Sequence, residues 1–140
     1  LQPLLAELRV DLLEQPLPAD EDTQLQGFQP LVPIAADESV HVATDVAALV
    51  SRYQVINIKL DKSGGLTAAL ELATTTRKAG LQLMTGCMVS SSLSIAPILP
   101  IAAQAQFIDL DGPWWLQQDL PGGIDCTDGL LSLPDPDFWG

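Results

Sequence analysis

Short apolar runs recur along the chain at a nearly regular interval, and this pattern constrains the fold more than any other feature of the sequence. Each run has the length of a β-strand and ends at polar residues. Helix-compatible stretches separate the runs, and a repeat of strand and helix at roughly 20 to 25 residues favours parallel βα units over a β-sandwich. A TIM-like barrel and a doubly wound sheet both fit this alternation. The runs are 10–13, 33–36, 55–58, 81–84 and 107–108.

Two of the intervening stretches have the apolar spacing of an amphipathic helix. They are 46–53 and 66–73, and each places its apolar side chains on one helix face. The second stretch follows a Gly-Gly pair and is succeeded by Arg77, Lys78 and Gly80. Cations in the last turn and a glycine just beyond it are typical of a helix C-terminus. We therefore predict a helix that ends before Gly80.

The C-terminal part of the chain is less regular. Two prolines interrupt the helix-compatible segment 90–103, which predicts a kinked or broken helix. Beyond this segment the sequence is rich in Trp, Pro, Gly and Asp, and a short strand at 130–133 is the only regular element we expect there. The expected organisation is therefore a set of βα units over residues 1–113, followed by a loop-rich tail over 114–140.

Composition bounds the size and the partners of the protein. With 140 residues, 47% of them apolar, the chain has the size and the core of one small domain. Its net charge of −12 has the wrong sign for binding nucleic acid, and no apolar run is long enough to span a membrane. Two cysteines without metal-ligand spacing are typical of free thiols in a cytoplasmic protein. Because the chain begins at Leu1 within an apolar pattern, we expect it to be part of a longer protein.

Polar residues occur where the predicted strands end. Glu14, Asp37 and Lys59 follow three successive apolar runs, and Asp109 and Asp111 follow the last one. A carboxylate after a strand is more often a helix cap or a solvated loop residue. Three polar residues at successive strand ends weaken that interpretation, because the C-terminal ends of parallel strands open on the face where active sites are built.

The types of these residues indicate a chemistry. Glu14 and Asp37 provide carboxylate oxygens, which are the ligands that Mg²⁺ prefers. Lys59 ends the next run, where a partly desolvated amine beside a metal is expected to have a lowered pKa and to act as a base. Lys62 is most simply a turn residue, and His41 is a lone histidine with a structural role as the simpler interpretation.

Five motifs, in this order along the chain, resemble those of a known family. They are Glu-Gln-Pro at 14–16, Ala-Asp-Glu-Ser at 36–39, Asn-Ile-Lys-Leu-Asp-Lys-Ser-Gly-Gly at 57–65, Gly-Cys-Met at 86–88 and Asp-Leu-Asp at 109–111. The combination resembles the muconate lactonizing enzyme subgroup of the enolase superfamily. The Asp-Leu-Asp pair and the Gly-Cys-Met turn are similar to those of its dipeptide epimerases.

The resemblance implies a fold and a reaction. The fold is the C-terminal half of a modified TIM (β/α)7β barrel, without the N-terminal capping domain and the early barrel strands. The reaction is Mg²⁺-dependent epimerisation of dipeptides of the L-Ala-D/L-Glu type, through abstraction of the α-proton and an enediolate. The other catalytic lysine and the first metal-binding Asp of the family have no counterpart in this sequence, so we expect the fragment alone to be inactive.

The same resemblance assigns roles to individual residues. Glu14 and Asp37 would bind Mg²⁺, and Lys59 would transfer the proton on one face of the α-carbon. Asp109 and Asp111 would hold the free ammonium group of the dipeptide. The turn formed by Gly86, Cys87 and Met88 would contact the substrate. A homo-oligomer is compatible with the resemblance.

Other functions remain open at this point. An N-acylamino acid racemase, an o-succinylbenzoate synthase or a cycloisomerase would use the same proton abstraction. Because their substrates lack a free ammonium group, Asp109 and Asp111 argue against them. A truncated half-barrel without catalytic activity, binding only a metal or a partner, is the third alternative.

Overall fold

A computed structural model describes residues 1–139 and contains a five-stranded parallel sheet. The strands pair in chain order, β1-β2-β3-β4-β5, and every pairing is parallel. The predicted α/β fold with parallel βα units is therefore confirmed. Within the described residues β1 and β5 each pair on one side only, so the sheet is open. The strands are β1 Leu13–Glu14, β2 Ile34–Ala36, β3 Val55–Ile58, β4 Gln82–Thr85 and β5 Phe107–Ile108.

Both faces of the sheet contain buried side chains. All four residues of β3 are buried, as expected for a central parallel strand. Ile56 and Ile58 pack in the large cluster formed with the helices, whereas Val55 packs with Ala35 and Met84 in a small cluster on the opposite face. Alternate residues of the central strand thus lie on opposite faces of the sheet. This alternation determines the face on which each side chain of the strand lies.

Helices connect the strands. The longest, α4, begins and ends as predicted, because Arg77 and Lys78 occupy its last turn and Gly80 follows with φ +79°. The segment 90–103 is broken as predicted, since α5 and α6 are separated by a 3-10 turn at Ala96–Ile98. The helices are α1 Gln2–Glu7, α2 Val46–Leu49, α3 Leu60–Ser63, α4 Leu66–Lys78, α5 Ser92–Ile95 and α6 Leu99–Ala102, with further 3-10 turns at Asp22–Leu25, Ala43–Asp45, Gly112–Trp115 and Pro136–Trp139.

The tail contains more regular structure than the sequence predicted. Strand β7 (Leu130–Leu131) lies where a short strand was predicted, but it pairs antiparallel with β6 (Cys126–Thr127), so the expectation that it is the only regular element of the tail is wrong. The physical reason is the two-residue connection between the strands. Asp128 has φ +52° and Gly129 has φ +78°, the pair of left-handed conformations that closes a tight hairpin. The Asp-Gly dipeptide carried this signal in the sequence.

A carboxylate joins the tail to the helical layer. The buried Ser92 is the first residue of α5, and its N–H donates to Asp119 Oδ1 over 3.0 Å. The Ser92 hydroxyl donates to the other Asp119 oxygen and accepts from the N–H of Ile124 over 2.9 Å. Asp119 therefore satisfies an N–H group at the start of α5 that has no partner within the helix.

Removing this carboxylate should destabilise the protein in a pH-dependent way. We expect Asp119→Ala to lower the free energy of unfolding by about 1 kcal/mol at pH 7, the usual effect of losing a helix cap. Burial raises the pKa of Asp119, but hydrogen bonds from the Ser92 side chain and from the backbone of Ser92 and Leu120 lower it more. Because the folded pKa lies below the ordinary value of 3.8, the contribution is present above that value and lost as the pH falls through the folded pKa.

Urea unfolding at pH 7 and at pH 3 measures the free energy of unfolding of the unmodified protein and of Asp119→Ala. The effect is the difference between these two free energies at each pH. Asp137→Ala removes an exposed carboxylate of the same tail and is the matched control. A difference for Asp119→Ala that is as large at pH 3 as at pH 7 would contradict the assignment.

Several large apolar side chains of the tail are exposed. Leu130 and Leu133 are each more than three-quarters exposed, and Trp115 is 71% exposed. Among residues 1–139, however, no helix has both the length and the apolar character needed to cross a membrane. The exposed apolar residues thus belong to short elements and turns.

Candidate active site

Three polar side chains meet at the C-terminal edge of the sheet, as predicted. Glu14 is the last residue of β1, Asp37 follows β2 and Lys59 follows β3. All three line one cavity of about 730 Å³. The β1–β2 connection, from Gln15 to Ala19, forms another part of its wall. Parallel pairing in consecutive order brings these residues together, although 45 positions separate the first from the last.

Two lysines hold the carboxylate of Asp37. Lys59 Nζ lies 2.8 Å from Asp37 Oδ2, and Lys62 Nζ lies 2.5 Å from Asp37 Oδ1. Lys62 also donates to the backbone carbonyl of Asp37. The interpretation of Lys62 as a simple turn residue is therefore wrong. Lysines three residues apart at the start of α3 lie on the same side of the helix, and this spacing was the available signal.

Asn57 holds the second carboxylate. Its side-chain N–H donates to Glu14 Oε1 over 2.6 Å, whereas its own Oδ1 is buried without a hydrogen-bond partner. Burial raises the pKa of Glu14, the hydrogen bond from Asn57 lowers it, and the charge of Asp37 raises it, with a net upward shift. Asn57 was not predicted to be a site residue, although one polar residue within an otherwise apolar buried strand indicates a partner in the interior.

The pKa of Lys59 differs in direction from the sequence-based expectation. Burial lowers it, but the hydrogen bond to Asp37 and the charges of Asp37, Glu14 and Glu38 raise it, and the net shift is upward. The lowered pKa was expected beside a bound metal ion, and for that state it stays a prediction. The physical reason for the upward shift is that the surrounding carboxylates outweigh the desolvation of the amine. These carboxylates thus favour the protonated form of Lys59.

The donor set fits part of the coordination shell of a hard divalent cation. Glu14 and Asp37 supply carboxylate oxygens from neighbouring strands, and the charge of Asp37 raises the pKa of Glu14, which shows that they are close enough to repel each other. A divalent cation relieves such repulsion. Within residues 1–139 no group of three or more Asp, Glu, His or Cys side chains could hold a metal. These two carboxylates therefore provide an incomplete site.

Asp109 and Asp111 line a different cavity from Lys59. This second cavity measures about 890 Å³ and lies between α6, the end of β5 and the β6–β7 hairpin. Burial raises the pKa of Asp109, the charge of Asp111 raises it further, and the charge of Lys59 lowers it. The charges of the two carboxylates thus repel each other. Trp115 Nε1 donates to Asp111 Oδ2 over 2.7 Å, an interaction that the sequence analysis did not anticipate.

The turn after β4, formed by Gly86, Cys87 and Met88, lines neither of these two cavities. Cys87 Sγ accepts from the N–H of Gly112 over 3.3 Å, which joins this turn to the segment after Asp111. Burial raises the pKa of the Cys87 thiol, and the charges of Asp111 and Asp109 add to this shift. Both cysteines are free, as predicted. Met88 is 53% exposed and lines neither cavity.

Gly86 leaves room for the side chains of the first cavity. A Cβ at this position would lie 2.7 Å from Asn57 Oδ1 and 2.8 Å from Lys59 Cε. We expect Gly86→Ala to lower the rate of any proton transfer by Lys59 about 10- to 100-fold, because small displacements of a reacting group have effects of this size. The rate of α-proton exchange on a substrate measures it, in a longer form of the protein that also contains the groups expected to be missing from this chain.

Gly80→Ala is the control for this substitution. Gly80 has a positive φ and open space around it, so an added methyl group strains the backbone without touching the cavity. It should lower stability and leave the exchange rate unchanged. Equal rates of α-proton exchange for Gly86→Ala and the unmodified protein would show that proton transfer by Lys59 does not depend on the space that Gly86 leaves.

Comparison with known proteins decides the family. A family model described as "Enolase C-terminal domain-like" matches residues 1–137. The chain belongs to this family. The resemblance to the enolase superfamily and the expected half-barrel of five parallel strands are thereby confirmed.

Curated members of the family cover most of the chain. The L-Ala-D/L-Glu epimerase of Escherichia coli K12 is 51% identical over 130 residues, which are 93% of this chain and 40% of that protein. The N-acetyl-D-glutamate racemase of a Pseudoalteromonas species is 48% identical over 136 residues, which are 97% of this chain and 43% of that protein. The chain thus spans about two-fifths of the length of these relatives.

Solved structures of the family have the same fold. An enolase family member from Agrobacterium tumefaciens, with homology to dipeptide epimerases and with bound sodium and L-Ala-L-Glu, is 45% identical with a TM-score of 0.94. The match covers 99% of this chain and 43% of the Agrobacterium protein. The dipeptide epimerase of Methylococcus capsulatus in complex with Mg is 37% identical to this chain, with a TM-score of 0.86. The match covers 95% of this chain and 41% of that protein.

Proposed function

We propose that this chain contributes one half of the active site of a Mg²⁺-dependent epimerase that acts on dipeptides of the L-Ala-D/L-Glu type. The observation that carries the proposal is the Lys59 ammonium group, 2.8 Å from Asp37 and beside Glu14, at the sheet edge where Asp109 and Asp111 follow β5. The 51% identical relative is an L-Ala-D/L-Glu epimerase, which supports the choice of reaction.

Lys59 would move the proton at the α-carbon of the second amino acid. In its protonated form Nζ delivers a proton to one face of this carbon, and in its neutral form it removes the proton from the same face. Epimerisation requires a second acid or base on the opposite face. We propose that this group lies outside these 140 residues, and that the chain alone is therefore inactive.

Glu14 and Asp37 would hold the metal ion. When bound, Mg²⁺ stabilises the negative charge that develops on a carboxylate oxygen of the substrate as the α-proton leaves. Asn57 orients Glu14 through its 2.6 Å hydrogen bond, and Lys62 orients Asp37. The structures of relatives with Mg support this choice of ion.

Asp109 and Asp111 would hold the free ammonium group of the dipeptide. A cation placed between them relieves the repulsion that raises the pKa of Asp109. Trp115 fixes one oxygen of Asp111 and leaves the other available.

Residues 1–113 would thus carry the reacting and binding groups. Tail residues between Trp114 and Leu133 would line the cavity of Asp109 and Asp111. By the family resemblance, the tail predicted over 114–140 would run back towards a capping domain, although residue 140 lies outside the described residues. The two free thiols favour a cytoplasmic location.

The proposal is tested by α-proton exchange in D₂O. A form of the protein extended to the length of its curated relatives is incubated with Mg²⁺ and L-Ala-L-Glu, and the glutamate α-proton is followed by NMR. We expect deuterium uptake and the appearance of the second epimer. Absence of exchange with every L-Ala dipeptide would contradict the dipeptide assignment.

A second candidate function is racemisation of an N-acylated amino acid. The 48% identical relative is an N-acetyl-D-glutamate racemase, and its name describes a substrate without a free ammonium group. The same exchange experiment with N-acetyl-L-glutamate separates the two functions. Asp109→Asn distinguishes them further, since it should reduce exchange on L-Ala-L-Glu and have little effect on N-acetylglutamate.

A further inference from the structure

The residue after Glu14 has an unusual backbone conformation. Gln15 has φ +37°, a left-handed value that is strained for any residue except glycine. Such a conformation persists only where surrounding contacts hold it in place. Its own N–H still bonds to the carbonyl of Ala35 over 2.9 Å, so the chain turns sharply immediately after the ladder between β1 and β2.

The Gln15 side chain reaches across to the second carboxylate. Its Oε1 accepts from the backbone N–H of Asp37 over 2.8 Å and, more weakly, from that of Ser39 over 3.4 Å. Its Nε2, which carries two hydrogens, lies within hydrogen-bond distance of three acceptors: the carbonyl of Leu17 at 2.8 Å, Ser39 Oγ at 2.9 Å and the Tyr53 hydroxyl at 3.0 Å. One side-chain amide thus connects the neighbour of Glu14 with the backbone of Asp37.

A buried carboxylate sets the direction of these bonds. Asp22 accepts the Tyr53 hydroxyl proton over 3.0 Å, and an ionised carboxylate is only an acceptor. The oxygen of Tyr53 is then free to accept from Gln15 Nε2. The carbonyl of Leu17 is also only an acceptor. Both partners require the NH₂ end of the Gln15 amide, so its oxygen must face Asp37.

Asp22 is itself held firmly. It is 1% exposed and lies 2.7 Å from Arg52 Nη1, which follows α2. Tyr53 is also 1% exposed. The ion pair between Asp22 and Arg52 therefore contacts the Tyr53 hydroxyl. This hydroxyl contacts the Gln15 amide, which in turn bonds to the backbone of Asp37. No local pattern in the sequence indicates a role for Gln15, Asp22 or Tyr53.

We propose that Gln15 is a positioning residue that fixes the distance between the carboxylates of Glu14 and Asp37, and that Asp22 fixes its orientation through Tyr53. The inference rests on the proposed function, because it assigns the spacing to the binding of Mg²⁺. Gln15 succeeds one carboxylate residue in the chain and bonds to the backbone of the other, so removing the amide frees the two carboxylates to separate. Groups that orient metal ligands in this way typically change metal affinity 10- to 100-fold when removed.

Two variants test the inference in the extended form of the protein, and each removes a different part of these contacts. Gln15→Met keeps the length of the side chain and removes all its hydrogen bonds, whereas Tyr53→Phe removes one hydroxyl. Gln24→Met is the control, because Gln24 is an exposed glutamine in the same β1–β2 connection. The measurements are Mg²⁺ titration by calorimetry and hydrogen exchange of the segment that contains the Asp37 amide.

The expected results are graded. Gln15→Met should weaken Mg²⁺ binding about 10- to 100-fold and accelerate exchange of the Asp37 amide. Tyr53→Phe should weaken binding about three- to tenfold, in line with the loss of one hydrogen bond. Gln24→Met should change neither quantity. If Gln15→Met fails to fold, Tyr53→Phe still decides the result.

The outcomes separate this inference from the proposed function. Unchanged Mg²⁺ affinity in a folded variant would overturn the positioning role, even if the protein epimerises dipeptides. Absence of Mg²⁺ binding by the unmodified protein would also overturn it. Mg²⁺ binding that depends on Gln15, without any dipeptide exchange, would contradict the proposed function and support the positioning role.

Discussion

In the extended form of the protein, replacing Lys59 by alanine should lower the rate of α-deuterium exchange on L-Ala-L-Glu about 10³-fold, within the usual range for loss of a general acid or base. The physical reason is that Lys59 Nζ is the group proposed to carry the proton on one face of the α-carbon. Asp37 retains an ion pair with Lys62 in this variant, so the fold should persist. NMR in D₂O measures the rate for each epimer separately.

Lys78→Ala is the matched control for Lys59→Ala. Lys78 is an exposed lysine in the last turn of α4, and its removal changes the net charge equally. Its exchange rates should equal those of the unmodified protein. Exchange of both epimers at the normal rate by Lys59→Ala, with a normal circular dichroism spectrum, would exclude Lys59 as the proton-transfer group.

Replacing Asp22 by alanine should lower the free energy of unfolding by about 3 kcal/mol, the lower end of the range for breaking a buried ion pair. The substitution leaves Arg52 without its carboxylate and leaves the Tyr53 hydroxyl without its acceptor. Arg52 retains some access to water, which limits the loss. Urea unfolding followed by circular dichroism measures the change.

Asp20→Ala controls for the loss of one carboxylate, because Asp20 is exposed on the same connection. It should change the free energy of unfolding by less than about 0.5 kcal/mol. A similarly small change for Asp22→Ala would show that the buried pair contributes little. The orientation assigned to Gln15 would then lose its support.

The sequence predicted the parts of the fold that depend on local patterns. All five strands of the sheet contain or adjoin a predicted apolar run, and α4 ends where its cations and glycine indicated. The first run was placed too early, since β1 is limited to Leu13–Glu14. The strand-end positions of Glu14, Asp37 and Lys59 followed from the same patterns, because parallel pairing brings successive strand ends to one edge.

The parts that the sequence could not predict depend on tertiary contacts. Asn57, Lys62 and Gln15 acquire their partners only when separate strands and connections meet. The direction of the pKa shift of Lys59 depends on how many carboxylates surround it, which no local pattern specifies. An amide and an ammonium group are common on protein surfaces, so their types alone do not identify them as part of a site.

The consecutive order of the strands has a consequence for how the protein forms during synthesis. Each strand from β2 to β5 pairs with the strand translated just before it. The edge strand of the growing sheet is therefore always the partner of the next strand to be translated. Glu14, Asp37 and Lys59 come from β1, β2 and the end of β3. The carboxylate and lysine cluster can therefore form before the ribosome has made β5 and the Asp109 pair.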